Sequence, residues 1–161
     1  MAQRKSTEAS RRDVVAGSLA IAIAPALGAA PAMATLEEMN DELKKVIGKA
    51  VLNKGRVKVS LPELTENGNS TSLAISVDSP MTAADHVRAI HIFSEKNPVP
   101  YIARLGIGPK AGKAQVATSI RVSDSQTITI VAEMSDGTFW SGQGATEVTT
   151  PACIDDSDRP K

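Results

Sequence analysis

Cysteine is almost missing from this sequence. Cys153 is the single one in 161 residues, and only Ile154 to Lys161 come after it. An exported chain with one thiol cannot close an internal disulfide. Cys153 is therefore stray, an inter-chain link, or a reactive group on a terminal arm. Histidine is nearly as scarce, with His86 and His91 the two available. On a strand their odd spacing points them to opposite faces, so they cannot chelate one ion together. Both read as surface or interface residues, and no metal is expected. Neither comes with a nucleophile motif, which leaves a serine triad without support. Charge of one sign is not in excess either: 18 Lys and Arg balance 18 Asp and Glu. Nothing in that balance suggests nucleic acid or an anionic membrane surface.

Long hydrophobic runs are also missing. A spanning helix wants about 20 strongly apolar residues. The best candidate, Val14 to Ala30, is alanine-rich and broken by Gly17, Pro25 and Gly28. Arg4, Lys5, Arg11 and Arg12 precede it, and Ala32-Met33-Ala34 places small residues where a signal peptidase reads. Residues 1–34 are thus expected to be a cleaved export signal. Ser10-Arg11-Arg12-Asp13-Val14-Val15 sets paired arginines just before the apolar run, which is the twin-arginine pattern. An ordinary secretory leader is the alternative, with the same destination, the bacterial periplasm, and no membrane attachment after cleavage. Twin-arginine export moves folded protein, so the domain can fold, and bind a partner, before it crosses. Cleavage removes more basic than acidic residues and leaves a slightly acidic chain. That chain is one ordinary domain, long enough to bury a core.

Residues 35–53 are expected to form an N-terminal helix. Leu36, Met39, Leu43, Val46, Ile47 and Ala50 recur at three- and four-residue spacings, an apolar stripe. Acidic residues crowd the first turns and lysines the later ones, as the helix dipole favours, and Thr35 with Glu38 makes a capping box. Asn53-Lys54-Gly55 is the expected end. From Arg56 the period changes to two. Val57 to Leu61, Leu73 to Val77, Val87 to Phe93 with a slip, Ile102 to Ile107, Val116 to Val122, Ile128 to Met134 and Phe139 to Val148 read as strands. Turn chemistry separates them, as in Glu66-Asn67-Gly68-Asn69, Asn97-Pro98-Val99-Pro100 and Ser123-Asp124-Ser125. About seven short strands predict an all-β, immunoglobulin-like antiparallel β-sandwich over 56–149. A small β-barrel is the second choice.

Two motifs fail on inspection. Gly106-Ile107-Gly108-Pro109-Lys110-Ala111-Gly112-Lys113 resembles a phosphate loop, but its first glycine is displaced and Ala114 stands where Ser or Thr is needed. No cofactor is expected from it. Phe139-Trp140 after Asp136-Gly137 is most simply a turn entering a core strand, with an exposed partner-facing Trp as the alternative.

The remaining feature is the arm, residues 150–161. Pro151 should stop strand pairing. If the last strand ends near Thr149, Cys153 stands roughly 13 Å beyond it at about 3.3 Å per extended residue. Asp155, Asp156 and Asp158 work against thiolate formation, and no cation lies close before the cysteine. The residues themselves leave two readings open: a handle that a partner must activate, or an inert terminal thiol. A catalytic thiol enzyme would want a histidine base beside the cysteine, and none is there.

Three segments resemble the SoxY proteins of bacterial thiosulfate oxidation: Val77-Asp78-Ser79-Pro80-Met81-Thr82-Ala83-Ala84-Asp85-His86-Val87, Ile90-His91-Ile92-Phe93-Ser94-Glu95-Lys96-Asn97-Pro98, and Ala132-Glu133-Met134-Ser135-Asp136-Gly137-Thr138-Phe139-Trp140. The likeness runs from about Leu36 to Val148 and includes the leader. It implies an immunoglobulin-like sandwich that pairs with a SoxZ-like subunit as a heterodimer and is exported with it. It also implies that Cys153 is the covalent attachment residue for sulfur intermediates. These would pass among cytochrome, hydrolase and dehydrogenase components of a sulfur-oxidising system. The protein would then be a carrier with no catalytic residues of its own.

The departure lies at the cysteine. The family's glycine-rich arm (Gly-Gly-Cys-Gly-Gly) is replaced by Pro151-Ala152-Cys153-Ile154-Asp155, which is similar to the Ala-Ala-Cys-Ile-Glu ending of SoxY-related arm proteins. Pro and Ile remove the freedom and narrow profile that glycine gives. The alternative is therefore a SoxY-related interaction module without sulfur-carrier activity, serving another periplasmic redox system.

Overall fold

The structure, a computed structural model, describes residues 33–150 and Ala152. The expected export signal, residues 1–34, lies outside it except for Met33 and Ala34. A helix, α1 (Leu36–Ile47), opens the described chain. Thr35 caps it with the expected box: Glu38 N–H donates to the Thr35 hydroxyl at 3.2 Å, and Thr35 N–H donates back to the Glu38 carboxylate at 2.8 Å. The helix stops six residues before the expected Asn53. Gly48 takes φ 61°, in the left-handed region, and its N–H bonds the Lys44 carbonyl. A glycine adopts that conformation without cost and so ends the helix first. Leu52, read from the sequence as the helix's last turn, instead begins a strand.

Nine strands come next. They are β1 (Leu52–Lys54), β2 (Val57–Ser60), β3 (Leu64–Thr65), β4 (Thr71–Val77), β5 (Val87–Ser94), β6 (Tyr101–Gly106), β7 (Gln115–Ile120), β8 (Gln126–Met134) and β9 (Phe139–Val148). Seven of them are the strands that the alternation predicts. The other two, β1 and β3, have two or three residues each, too short to show a period. Both pair in parallel with β9, whereas the remaining pairs are antiparallel.

The larger sheet runs β1-β9-β8-β5-β6, with β3 on the far end of β9, and the smaller runs β2-β4-β7. The two face each other as an immunoglobulin-like sandwich. Leu73, Ile75 and Val77 from β4 meet Ile90, Ile92, Ile128, Ile130 and Ala132 in the core between them. The slip read in the sequence is a pair of register shifts in β5, at Val87/Ala89 and Ile92/Phe93. Helix α1 covers the outer face of the larger sheet, where Met39 and Leu43 pack on Phe93 and Val131. No helix among the described residues is long and apolar enough to cross a membrane.

Candidate functional site

Cys153 and Pro151 lie outside the described residues, but Thr149, Thr150 and Ala152 on the way to the cysteine are described. After β9, Thr149 N–H donates to Thr65 O at 2.9 Å, and Gly68 N–H donates to Thr150 O at 2.9 Å. Ala152 N–H donates to Val122 O at 3.2 Å, and Ala152 is 1% exposed. The chain therefore stays tied to the sandwich through Ala152, which corrects the expectation of an arm departing near Thr149. Strand pairing ends at Val148, but single backbone hydrogen bonds flank Pro151, one accepted by the Thr150 carbonyl and one donated by the Ala152 N–H.

Gly68 makes this approach possible. A Cβ there would stand 2.3 Å from Val122 O and 2.8 Å from Ala152 N, so no other residue fits between the two segments. Gly68 O also accepts from Val122 N–H at 2.8 Å. One backbone thus joins the β3–β4 loop, the β7–β8 loop and the arm root.

The β7–β8 loop is held in turn by Asn97. Its Oδ1 accepts from Ser123 N–H at 3.0 Å and Gln126 Nε2 at 2.9 Å, and its Nδ2 donates to Arg121 O at 2.9 Å. Ser123 Oγ donates to Lys96 O at 2.9 Å, and Lys96 N–H donates to Gln126 Oε1 at 2.8 Å. Satisfied buried networks of this kind fix a single geometry. Lys96 Nζ sits 3.0 Å from Asp124, whose carboxyl is held below the usual carboxylate range chiefly by that hydrogen bond. From sequence, Asn97 and Ser123 read only as turn residues. Their amide and hydroxyl groups beside an apolar strand were the available signal that they close a loop over a core.

The histidines fall in different places. His86 precedes β5, its Nδ1 3.0 Å from Thr82 O. His91, expected at the surface or at an interface, is buried instead: it is 4% exposed, covered by Tyr101, whose ring stacks on it and whose hydroxyl lies 2.8 Å from Nδ1. Its Nε2 stands 3.6 Å from Glu133, too long for a hydrogen bond. Arg88 at 3.1 Å and Arg104 at 3.9 Å already balance that carboxylate. Burial pushes His91 below its ordinary 6.5, against the pull of Glu133, and pushes the Tyr101 hydroxyl upward. No group of three His, Cys, Asp or Glu among the described residues is placed to hold a metal ion. Trp140 is half-buried, packed on the core with the Arg56 guanidinium 4.8 Å over its ring.

Residues 43–153 match the family described as sulfur oxidation protein SoxY. The chain belongs to the SoxY family. The match extends past the last strand and ends on Cys153, leaving residues 154–161 of this SoxY protein outside it. No curated protein matches the sequence. Among solved structures, the sulfur carrier protein SoxY from Chlorobium limicola f thiosulfatophilum is similar at a TM-score of 0.59 and 19% identity. That alignment covers 70% of this chain and 97% of that one. A variant of the superoxide reductase (neelaredoxin) from Ignicoccus hospitalis is similar at a TM-score of 0.51 and 17% identity, over 67% of this chain and 86% of that one. At these identities the structural likeness establishes the sandwich fold.

Proposed function

We propose that this SoxY-family protein is a periplasmic carrier that holds sulfur-compound intermediates covalently on Cys153. It would work as a heterodimer with a SoxZ-like subunit and serve as a platform for cytochrome, hydrolase and dehydrogenase components of a sulfur-oxidising system. The observation that carries the reading is the family match running through the anchored Ala152 to end on Cys153. The thiol's reach begins at Ala152, one peptide unit away, about 3.8 Å between α-carbons. A carrier with so short a tether needs its partners to come to the body of the sandwich.

Joining the thiol to thiosulfate as Cys–S–S–SO3⁻ forms one S–S bond and releases one proton and two electrons. The cytochrome component would take the electrons. Later transfers would proceed by exchange at sulfur. The expected result is a sulfur adduct on Cys153, seen by intact-protein mass spectrometry, in protein from thiosulfate-grown cells. A wholly unmodified thiol while the pathway runs would overturn the reading. A Cys153→Ser variant that still binds its partner should lose function in vivo; full retention favours the module that docks a partner without carrying sulfur.

A further inference from the structure

Asn67-Gly68 is the single Asn-Gly pair in the sequence, and asparagine before glycine has a reaction of its own. The glycine's backbone nitrogen, losing its proton, attacks the carbonyl carbon of the asparagine side chain. The new C–N bond closes a succinimide ring as ammonia leaves. Water then opens the ring to aspartate, or to isoaspartate, in which the main chain runs through the side-chain methylene. Nothing is oxidised or reduced. Glycine permits the attack because it has no Cβ to crowd the nitrogen.

The fold asks for both residues. A Cβ at position 68 would strike Val122 O and Ala152 N. The Asn67 Oδ1 accepts from Asn69 N–H at 2.9 Å, the local bond that favours asparagine in turns. The fold also restrains the pair it has made. The peptide unit between the two residues is bonded at both ends: Gly68 N–H donates to Thr150 O at 2.9 Å, and Asn67 O accepts from Ser70 N–H at 3.3 Å. Asn67 is exposed to water while Gly68 is buried. The proton that the nitrogen must lose is therefore held by Thr150. Yet Thr149, Thr150 and Ala152 are tied by single bonds rather than a ladder, the kind of contact that opens well before a sandwich unfolds.

We propose that Asn67 is a covalent modification site protected by the arm root. While Thr150 holds the Gly68 N–H the pair is inert, and each local opening of the root lets the ring close. Isoaspartate then lengthens the backbone just before Gly68, the residue wedged between two backbone atoms, so the root cannot close again. A reversible opening becomes a permanent one. The comparable Asp136-Gly137 pair is spared. The Thr138 N–H and hydroxyl hold the Asp136 carboxyl below its ordinary range, and an ionised carboxylate resists attack. This goes beyond the carrier reading and stands whatever Cys153 holds.

The test follows Asn67 by peptide mapping of the purified protein kept in mildly alkaline buffer, with fragmentation telling isoaspartate from aspartate. A synthetic peptide of residues 63–72 gives the unprotected rate. The folded protein should react at least about tenfold more slowly, and by the same factor, within about threefold, as exchange at the Gly68 amide is slowed, because both need one opening. A rate equal to the peptide's, or a slowing unrelated to that exchange, overturns the proposal. A chain ending at Val148 keeps every strand but lacks the Thr150 acceptor. With its β5 and β8 amides still protected, it should approach the peptide's rate; wild-type slowness would place the protection elsewhere and overturn the proposal. The isoaspartyl form, separated by its added negative charge, should lose protection at the Val122 and Ala152 amides. Asn67→Asp, with that charge on an ordinary backbone, should keep it. Equal protection in the two forms, or equal loss, overturns the permanent opening.

Discussion

Gly68 is the residue on which the arm root depends. A methyl group there has nowhere to go, because Val122 O and Ala152 N lie within 3 Å of where it would stand. Both are backbone atoms and cannot rotate aside. Gly68→Ala should therefore cost about 1–3 kcal/mol, the usual range for forcing extra volume into a packed site. It should also free the Ala152 amide, so urea unfolding together with exchange at that amide checks both effects. His91 makes a second test. Burial holds its folded pKa below 6.5. The unfolded chain takes up a proton as pH falls through 6.5, while the native imidazole resists until lower pH. The unfolded state then binds more protons, so stability is full above 6.5 and falls toward the lowered native value. His91→Gln should abolish that slope, measured as the difference in unfolding free energy between pH 7 and the acid side.

Helix α1 makes a corresponding case among the elements. Leu36 and Leu43 lie on the same predicted stripe, yet Leu36 is 56% exposed and Leu43 is 9% exposed. Leu43 packs with Met39 on Phe93 and Val131, and Leu36 has no place in that cluster. Leu43→Ala should cost roughly 2 kcal/mol or more, and Leu36→Ala less than about 0.5 kcal/mol; equal losses in thermal melts would mean the stripe is not the packing face. The stripe, the capping box and seven strands were legible in the sequence, because period and turn chemistry act over a few neighbouring residues. The end of the helix was not, since Asn53-Lys54-Gly55 and Gly48 offer the same stop signal and only the pairing of Leu52 with Phe139 decides between them. The arm root was hidden for a similar reason. Its bonds join the Thr65–Gly68 segment to Val122 and to Thr149–Ala152, three stretches far apart in the chain, and nothing local marks them as neighbours. Cys153 stood out in the sequence by its solitude and by the family resemblance, and its role stays with the carrier proposal.

For the whole molecule, the proposed export to the periplasm raises the question of what must be built before crossing. The hairpins β5–β6 and β8–β9 are local, but β1 and β3 rely on β9 and β5 on β8, all distant in sequence, and the arm root closes only after β3, β7 and β9 are all in place. A chain threaded unfolded would have to assemble these non-local contacts, and find its partner, after crossing. On the proposed folded export, the paired arginines, Arg11 and Arg12, would avoid this by moving the finished sandwich with the proposed SoxZ-like subunit bound to it. Replacing both with lysine keeps the charge and the apolar run but removes the planar guanidinium pair. On the folded-export reading, cell fractionation should then find the precursor retained in the cytoplasm, and the SoxZ-like subunit retained with it. Mature protein still reaching the periplasm in normal amount would assign the leader to the ordinary secretory route. The partner would then have to join by some means other than shared export.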